Sequence, residues 1–247
     1  MKLLYLIPGR MGNSKLGEEE MQRRCAILNQ YAFPGTMVDV WDACDGPASI
    51  ESLTEEYEAI PGTIRRAVEA EKAGYDGIIL GCFADPGIDA IREMVNIPVA
   101  GPFETALGAA LTTGYRFSIV TATSAMISML EEECSAKGIR DRRLASVRAV
   151  DVNILDFNEQ AEQLKEKVLE QGKRCIQEDQ ADTLILGCIS LAFAGVDRLL
   201  EEKLGVPCIN PILTALKYCE GCVSMKLTHS KKAFPLPLKL QQEKENL

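Results

Sequence analysis

Two cysteines of this 247-residue chain stand at the ends of closely similar segments. The sequence Asp-Gly-Ile-Ile-Leu-Gly-Cys ends at Cys82, and Asp-Thr-Leu-Ile-Leu-Gly-Cys ends at Cys188, a little under half the chain later. Each apolar run has the composition of a buried strand, so both thiols are expected at the carboxyl end of a strand. Ligands bind at that edge of an open parallel sheet, which makes Cys82 and Cys188 candidate catalytic residues.

Two thiols that face each other across a bound molecule favour one kind of reaction. A free thiol ordinarily has a pKa of about 8.5, and backbone N–H groups at a helix start favour its thiolate. One thiolate can then remove a proton from a carbon, while the opposite thiol returns a proton to the other face. The result is inversion at that carbon, which is racemisation or epimerisation. Core packing of each Gly-Cys is the alternative, and the duplication of the context weakens it.

The reaction also requires groups that stabilise the carbanion. Hydroxyl and backbone donors near the strand ends could hold the developing oxyanion, and glycines beside the cysteines could let a ligand approach the backbone closely. The residues predicted to bind the substrate follow the inner strands of both halves and are Pro8, Gly9, Arg10, Ser14, Gly81, Phe83, Ala84, Thr121, Thr123, Ser124, Gly187, Ile189 and Ser190.

The elements that must position these residues alternate regularly along the chain. Short apolar runs and amphipathic segments follow in the order β-α-β-α-β-α-β, and that order occurs twice. Within it, residues 52–73 are predicted as a helix in two pieces because of Pro61, and residues 191–204 as one helix. The repeated order indicates an internal duplication. We therefore predict an α/β fold of two similar, Rossmann-like parallel-sheet domains, related by pseudo-two-fold symmetry, with the active site in the cleft between them.

The composition excludes several other functions. Lys and Arg number 27 against 36 Asp and Glu, and the net charge of −9 disfavours nucleic acid or a membrane as a partner. The single histidine, His229, lies in a polar tail, so we predict neither Ser-His-Asp nor Cys-His catalysis and no metal or cofactor. Nine cysteines, an odd number, indicate reduced thiols and a cytoplasmic location. No apolar stretch is long enough for a signal peptide or a membrane span.

Several motifs resemble the Asp/Glu/hydantoin racemase superfamily, most closely its hydantoin and allantoin racemase branch. They are residues 45–51, 81–87, 101–104, 116–121, 186–188 and 228–232. The resemblance implies a cofactor-independent two-base racemase whose catalytic cysteines map onto Cys82 and Cys188, one in each domain. It also implies that a second domain, residues 104–212, is inserted into a first domain made of residues 1–103 and 213–247.

The loop after the first strand departs from that branch. The branch carries Asn-Pro-Asn followed by a hydroxyl residue, whereas this chain has Pro8-Gly9-Arg10-Met11-Gly12-Asn13-Ser14. Arg10 is either a solvated loop residue or a clamp for a substrate carboxylate, since guanidinium binds carboxylate in a bidentate way. In the second case the substrate would be an amino acid of the aspartate or glutamate type rather than a 5-substituted hydantoin or allantoin.

Three further functions stay open at this stage. A decarboxylase of the same superfamily would need only one cysteine to protonate an enolate, and a cis–trans isomerase would use one cysteine as a nucleophile. A protein with two α/β halves could also bind a small molecule without transforming it. In every case the expected partner is a small molecule, and a homo-oligomer is a further expectation without a stoichiometry.

Overall fold

The computed structural model describes residues 1–157 and 159–245, and its strands form two separate sheets. The strands of the first sheet are β1 (Lys2–Ile7), β2 (Met37–Asp42), β3 (Gly77–Leu80) and β4 (Val99–Ala100). They lie in the order β2-β1-β3-β4, and every neighbouring pair is parallel. This order places β1 and β3 side by side in the middle of the sheet.

The second sheet repeats the first. Its strands are β5 (Phe117–Thr121), β6 (Leu144–Ala149), β7 (Thr183–Leu186) and β8 (Cys208–Ile209). They lie in the order β6-β5-β7-β8, again with parallel pairs throughout. Tyr5 pairs with Ile79 in the first sheet, and Ile119 pairs with Ile185 in the second. The common strand order confirms the prediction of two similar parallel α/β domains.

Helices follow most of the strands. They are α1 (Gly17–Tyr31), α2 (Leu53–Lys72), α3 (Ile88–Met94), α4 (Pro102–Thr113), α5 (Ile127–Ala136), α6 (Arg140–Arg143), α7 (Ala161–Gln177), α8 (Ile189–Phe193), α9 (Val196–Leu204), α10 (Pro211–Met225) and α11 (Leu238–Glu245). In the described part of the chain, no helix is both long and apolar enough to cross a membrane.

The strands form where the chain is apolar on both faces. Residues 3–7 of β1 are all buried, as are all four residues of β3, because helices cover both faces of a parallel sheet. Helix α2 begins after Ser52, whose hydroxyl accepts the N–H of Glu55 at 3.3 Å and so caps the first turn.

Two helix predictions were wrong in detail. Helix α2 runs through Pro61 without a break. Pro61 has no N–H to donate to the carbonyl of Tyr57, but both residues are exposed, so water can reach that carbonyl. The single helix predicted for residues 191–204 is divided into α8 and α9 at Gly195, which has a left-handed φ of 69°.

The helices that follow each sheet pack across the molecule. Helix α4 comes after the first sheet but packs against β7 and β8, whereas α10 comes after the second sheet and packs against β3 and β4. The two helices also contact each other. This exchange accords with an inserted second domain, although the limits at residues 103/104 and 212/213 stay a prediction.

Candidate active site

A cavity lies between the carboxyl ends of the two sheets. The segments that follow β1, β3, β5 and β7 all contribute to it, as does the loop before α2. The lining residues are Ile7, Pro8, Met11, Leu16, Arg24, Ala48, Ser49, Ile50, Gly81, Cys82, Phe83, Ala84, Thr121, Ala122, Thr123, Met126, Leu130, Ile154, Gly187, Cys188, Ile189 and Ser190. Both candidate cysteines therefore face one cavity, from opposite domains.

The two thiols have similar immediate surroundings. The Cys82 sulfur accepts a hydrogen bond from the backbone N–H of Ala84, and the Cys188 sulfur accepts from the N–H groups of Ser190 and Leu191. Cys82 is half-buried and Cys188 is buried. Each cysteine thus stands at a turn from a strand into a helix, where backbone donors point at its sulfur.

Burial outweighs these donors at both thiols. Burial raises the pKa of Cys82 far above its ordinary value, and the nearby Glu56 and Cys188 raise it further. Burial also raises the pKa of Cys188, although the N–H groups of Leu191 and Ser190 and the charge of Arg24 act in the opposite direction. Desolvation therefore exceeds the stabilisation of each thiolate that was expected from backbone N–H groups at a helix start.

Gly81 and Gly187 are required for the contact between neighbouring strands. A Cβ at Gly81 would lie 2.9 Å from the Cα of Ile7, and one at Gly187 would lie 2.5 Å from a methyl carbon of Ile119. Real Cβ atoms do not approach other atoms so closely, so each glycine lets the central strands of its sheet meet beside the cysteine. Protein atoms occupy the space that a Cβ would need at both glycines. Both glycines also line the cavity, so close approach of a ligand to their backbone stays a prediction.

Four of the predicted substrate-binding residues lie outside the lining. Gly9 is buried with a left-handed φ of 89°, and Arg10, which follows it, donates its N–H to the Pro47 carbonyl while its side chain is exposed. Ser14 donates its hydroxyl to the carbonyl of Met11 at 2.7 Å. Ser124 is exposed, beside Asp151. The polar groups of the loop after β1 bind within the loop, bind the neighbouring residues Asp42 and Pro47, or face solvent, and Arg10 does not line the cavity.

The remaining predicted residues lie together in the lining. Among them, Thr121 donates its hydroxyl to the carbonyl of Gly187 at 3.1 Å, and Thr123 donates to the carbonyl of Glu51 at 3.5 Å. Both hydroxyl protons are directed at backbone carbonyls, so these threonines fix the strand ends and the loop above them. Their predicted role as donors to an oxyanion stays a prediction.

Sequence reasoning missed Arg24 of α1. This side chain lines the cavity, is only 2% exposed and pairs with Glu20 at 2.8 Å. Its position gives a signal that could have been recognised, because Arg24 lies between Met21 and Leu28 on the buried stripe of α1. A cation on an apolar stripe, four residues after a carboxylate, indicates a buried pair.

Sequence reasoning also missed the apolar part of the cavity. Met11 and Leu16 come from the segment after β1, and Met126, Leu130 and Ile154 come from the second domain. Their spacing along the chain is irregular, so no single helix or strand pattern unites them. Together they add apolar side chains to the lining from both domains.

His229 lies away from the cavity, as its place in the tail predicted. Its Nε2 accepts the N–H of Val99 at 2.8 Å, and burial lowers the pKa of this imidazole to about 4. Within residues 1–157 and 159–245, no three His, Cys, Asp or Glu side chains gather in an arrangement that could hold a metal ion.

The two duplicated parallel-sheet domains enclose a cavity, and one cysteine stands at the equivalent strand end of each. This arrangement defines a class of two-domain α/β enzyme. Comparison with known proteins identifies the class. The profile of the family described as Asp/Glu/Hydantoin racemase matches residues 17–219. The chain belongs to this family, and it is an isomerase of the racemase type.

Individual relatives support the same assignment. The chain is 36% identical to a hydantoin racemase of Pseudomonas sp. (strain NS671), over 78% of this chain and 77% of the relative. It is 31% identical to a hydantoin racemase of Rhizobium meliloti, over 83% of each chain. The structure is similar to that of an allantoin racemase from Klebsiella pneumoniae, with a TM-score of 0.86, 28% identity, and coverage of 96% of this chain and 94% of that chain. The resemblance stated from the motifs is confirmed.

Proposed function

We propose that this chain is a cofactor-independent, two-base racemase that inverts C5 of 5-substituted hydantoins bearing an apolar substituent. The observation that carries the proposal is the pair Cys82 and Cys188, which face one cavity from equivalent strand ends of two duplicated domains. Two curated relatives named hydantoin racemase support the substrate class. Both bases act only as reduced thiols, which favours a reducing compartment such as the cytoplasm.

The proposed reaction needs only the two sulfurs and the substrate. One thiolate takes the C5 proton and becomes a thiol, while the electron pair of the C–H bond moves onto the neighbouring carbonyl oxygen. The opposite thiol then gives its proton to the other face of C5 and becomes a thiolate. No electron leaves the substrate, so no redox cofactor takes part. The enzyme finishes with its proton on the other sulfur.

A single experiment tests the reaction directly. One enantiomer of a 5-substituted hydantoin is incubated with the protein in deuterium oxide, and optical rotation and deuterium at C5 are followed together. We expect the rotation to decay to zero while the product of inversion carries deuterium. If neither changes for any hydantoin or amino acid tried, the racemase proposal is wrong, and bound but unchanged ligand would favour a binding protein.

The shape of the lining predicts a preference among hydantoins. The side chains of Met11, Leu16, Met126, Leu130 and Ile154 offer an apolar surface to the C5 substituent. A benzyl or isobutyl group would bury there, whereas the ureido group of allantoin would lose hydrogen bonds to water. We expect kcat/KM for benzylhydantoin to exceed that for allantoin by about 10- to 200-fold, measured by polarimetry under identical conditions.

A matched variant controls for this preference. Replacing Leu130 by Asn keeps the side chain of similar size but adds a polar group to the apolar surface. The ratio of kcat/KM for benzylhydantoin over allantoin should fall in this variant. A wild-type ratio below one would instead assign the cavity to a polar substrate such as allantoin.

The pH profile follows from the direction of both thiol pKa values. Burial raises the pKa of Cys82 and of Cys188, so at neutral pH both are mainly protonated. The reactive form carries one thiolate, and its fraction grows as the pH rises toward the lower of the two pKa values. We therefore expect kcat/KM to rise between pH 7 and 9, by up to about tenfold for each pH unit. Polarimetric assays at each pH measure kcat/KM, with a correction for ionisation of the substrate. A value of kcat/KM that falls over this range would contradict the prediction.

A further inference from the structure

A buried polar cluster joins the first domain to the helix that follows Cys188. Arg24 donates from Nε to Glu20 at 2.8 Å and from one terminal nitrogen to the hydroxyl of Ser190 at 2.9 Å. Its guanidinium also stacks over the ring of Phe193, 4.8 Å from the centroid. The neighbouring Arg23 donates to the carbonyl of Phe193 at 3.1 Å. Helix α1 therefore holds both ends of α8 through two adjacent arginines.

This cluster lies directly behind Cys188. Ser190 contributes its backbone N–H to the Cys188 sulfur while its hydroxyl accepts from Arg24. The same residue thus touches the thiol on one side and the guanidinium on the other. Arg24 lines the same cavity as Cys188, and its positive charge acts to lower the pKa of that thiol.

The cluster keeps a net positive charge. Glu20 is its one carboxylate, and it accepts from both Arg23 and Arg24. Although burial acts to raise the pKa of Glu20, these hydrogen bonds and charges lower it, so Glu20 stays ionised. Tyr5 lies 3.4 Å from Arg24 and stays neutral, because burial raises the pKa of its phenol to about 12. Two guanidinium groups against one carboxylate leave one positive charge.

The charged groups that face the two thiols differ. Arg24 from α1, Glu51 from the loop before α2 and the other thiol act on Cys188. The groups that act on Cys82 are Glu56 of α2, Asp85 of the next turn, and Cys188 itself.

The phenol of Tyr5 is near both Cys82 and Arg24, and it is neutral because burial raises its pKa. Cys188 therefore faces a cation and an acidic group. Cys82 instead faces two acidic groups, Glu56 and Asp85, whose own pKa values are raised by burial, and within the described part of the chain no cation acts strongly on it. A nearby positive charge favours a thiolate, and a negative charge disfavours it.

We propose that Arg24 is a positioning residue that makes Cys188, and not Cys82, the thiol that ionises first. The inference rests on the proposed function, in which the two thiols are the acid and the base. It assigns the reactive form of the free enzyme: a thiolate at Cys188 and a thiol at Cys82. The enantiomer whose C5–H faces Cys188 is deprotonated by that state directly. The opposite enantiomer requires the proton on the other sulfur. Both forms hold one proton between the two thiols, so Arg24 sets the ratio between them independently of pH.

The test measures each thiol without a substrate. The wild-type protein is treated with iodoacetamide over a range of pH, and alkylation of Cys82 and Cys188 is quantified peptide by peptide by mass spectrometry. Only the thiolate reacts, so each midpoint reports one thiol. We expect Cys188 to be alkylated at lower pH than Cys82. Because the readout needs no turnover, it distinguishes failure of this inference from failure of the racemase proposal.

Variants separate charge from packing. In Arg24→Gln the Cys188 midpoint should rise by roughly one to three pH units, while the Cys82 midpoint stays within about half a unit. Arg24→Lys keeps the charge and should restore most of the shift. Arg23→Gln is the matched control, since it removes a neighbouring arginine that binds the same Glu20 and the Phe193 carbonyl but does not line the cavity. Arg23→Gln should shift the Cys188 midpoint less than Arg24→Gln does.

Two outcomes would overturn the inference. One is alkylation of Cys82 before Cys188 in the wild type, and the other is an unchanged Cys188 midpoint in folded Arg24→Gln. Circular dichroism shows whether Arg24→Gln folds. If it does not, the double variant Glu20→Gln/Arg24→Gln removes both buried charges together, and its Cys188 midpoint is compared with that of Arg23→Gln. Racemisation against pH then adds a second readout: the pH at which kcat/KM rises should move upward in Arg24→Gln, by the same amount for both enantiomers, because the thiol that ionises first governs both directions.

Discussion

Replacing either Cys82 or Cys188 by serine is expected to lower the rate of racemisation by about 10²- to 10⁴-fold, the usual contribution of a general acid or base. Serine is close to cysteine in size but is a far weaker acid, so it cannot exchange the C5 proton. Each thiol serves one face of the carbon, and inversion needs both faces. Loss of either one should therefore stop inversion, and the double variant should be no slower than the slower single variant.

The single variants also give a signature that other mechanisms do not. A variant with one remaining thiol can still remove the proton from the enantiomer that faces it and return solvent deuterium to the same face. We expect Cys82→Ser and Cys188→Ser each to exchange deuterium into one enantiomer without inversion, and into opposite enantiomers. Nuclear magnetic resonance of the C5 proton for each pure enantiomer measures this exchange.

The control for these variants is Cys44→Ser. Cys44 is exposed and contacts Asp42 through its sulfur at 3.3 Å, and it lies outside the cavity lining. The same chemical change there should leave racemisation intact. Retention of full activity in either Cys82→Ser or Cys188→Ser would refute the two-base mechanism. A chemistry that uses one cysteine, as a decarboxylase or a cis–trans isomerase would, predicts that one of the two variants stays active.

The cysteines could be found from the sequence because the duplication presents them twice. Matching runs before Cys82 and Cys188 show both the strand and its end, and the parallel-sheet rule then brings the ends to one cavity. Helix α4 could have been found in the same way, since Pro102 and Pro211 stand at the same place in the two halves and the second begins α10. Its many small residues give α4 a weak periodicity, so the pattern alone did not show it.

The rest of the site depends on contacts between distant segments. Arg24 contributes only because α1 packs against α8, and Ile154 only because its turn reaches the cavity from the second domain. Neither approach is encoded in a local pattern. In the loop after β1, by contrast, a residue was predicted at the site that the structure places elsewhere. Arg10 could bind a carboxylate, but its backbone N–H binds the carbonyl of Pro47 and its side chain faces solvent.

Gly9→Ala is expected to destabilise the protein and weaken the site together. The backbone of Gly9 has a φ of 89°, and a Cβ there would overlap the carbonyl oxygen of Pro47. That carbonyl accepts the N–H of Arg10 at 2.9 Å, and the next residues, beginning at Ala48, line the cavity. The left-handed conformation costs an alanine about 1–2 kcal/mol, and the overlap adds about 1–3 kcal/mol. Displacement of the lining should lower kcat/KM by up to about 100-fold.

Gly35→Ala separates the two causes of that loss. Gly35 has nearly the same φ, 86°, but a Cβ there would meet no atom within 4 Å, and the residue lies outside the cavity lining. It should therefore suffer only the conformational cost, so the melting temperature of Gly9→Ala should fall further by about 2–4 °C for each additional kcal/mol. Activity should be retained in Gly35→Ala. If the two variants have equal melting temperatures and only Gly9→Ala loses activity, the result would support the substrate-binding role predicted for Gly9 from the sequence. Equal melting temperatures with activity retained in both would show that Pro47 yields to the added methyl group, and that the loop after β1 does not hold the lining in place.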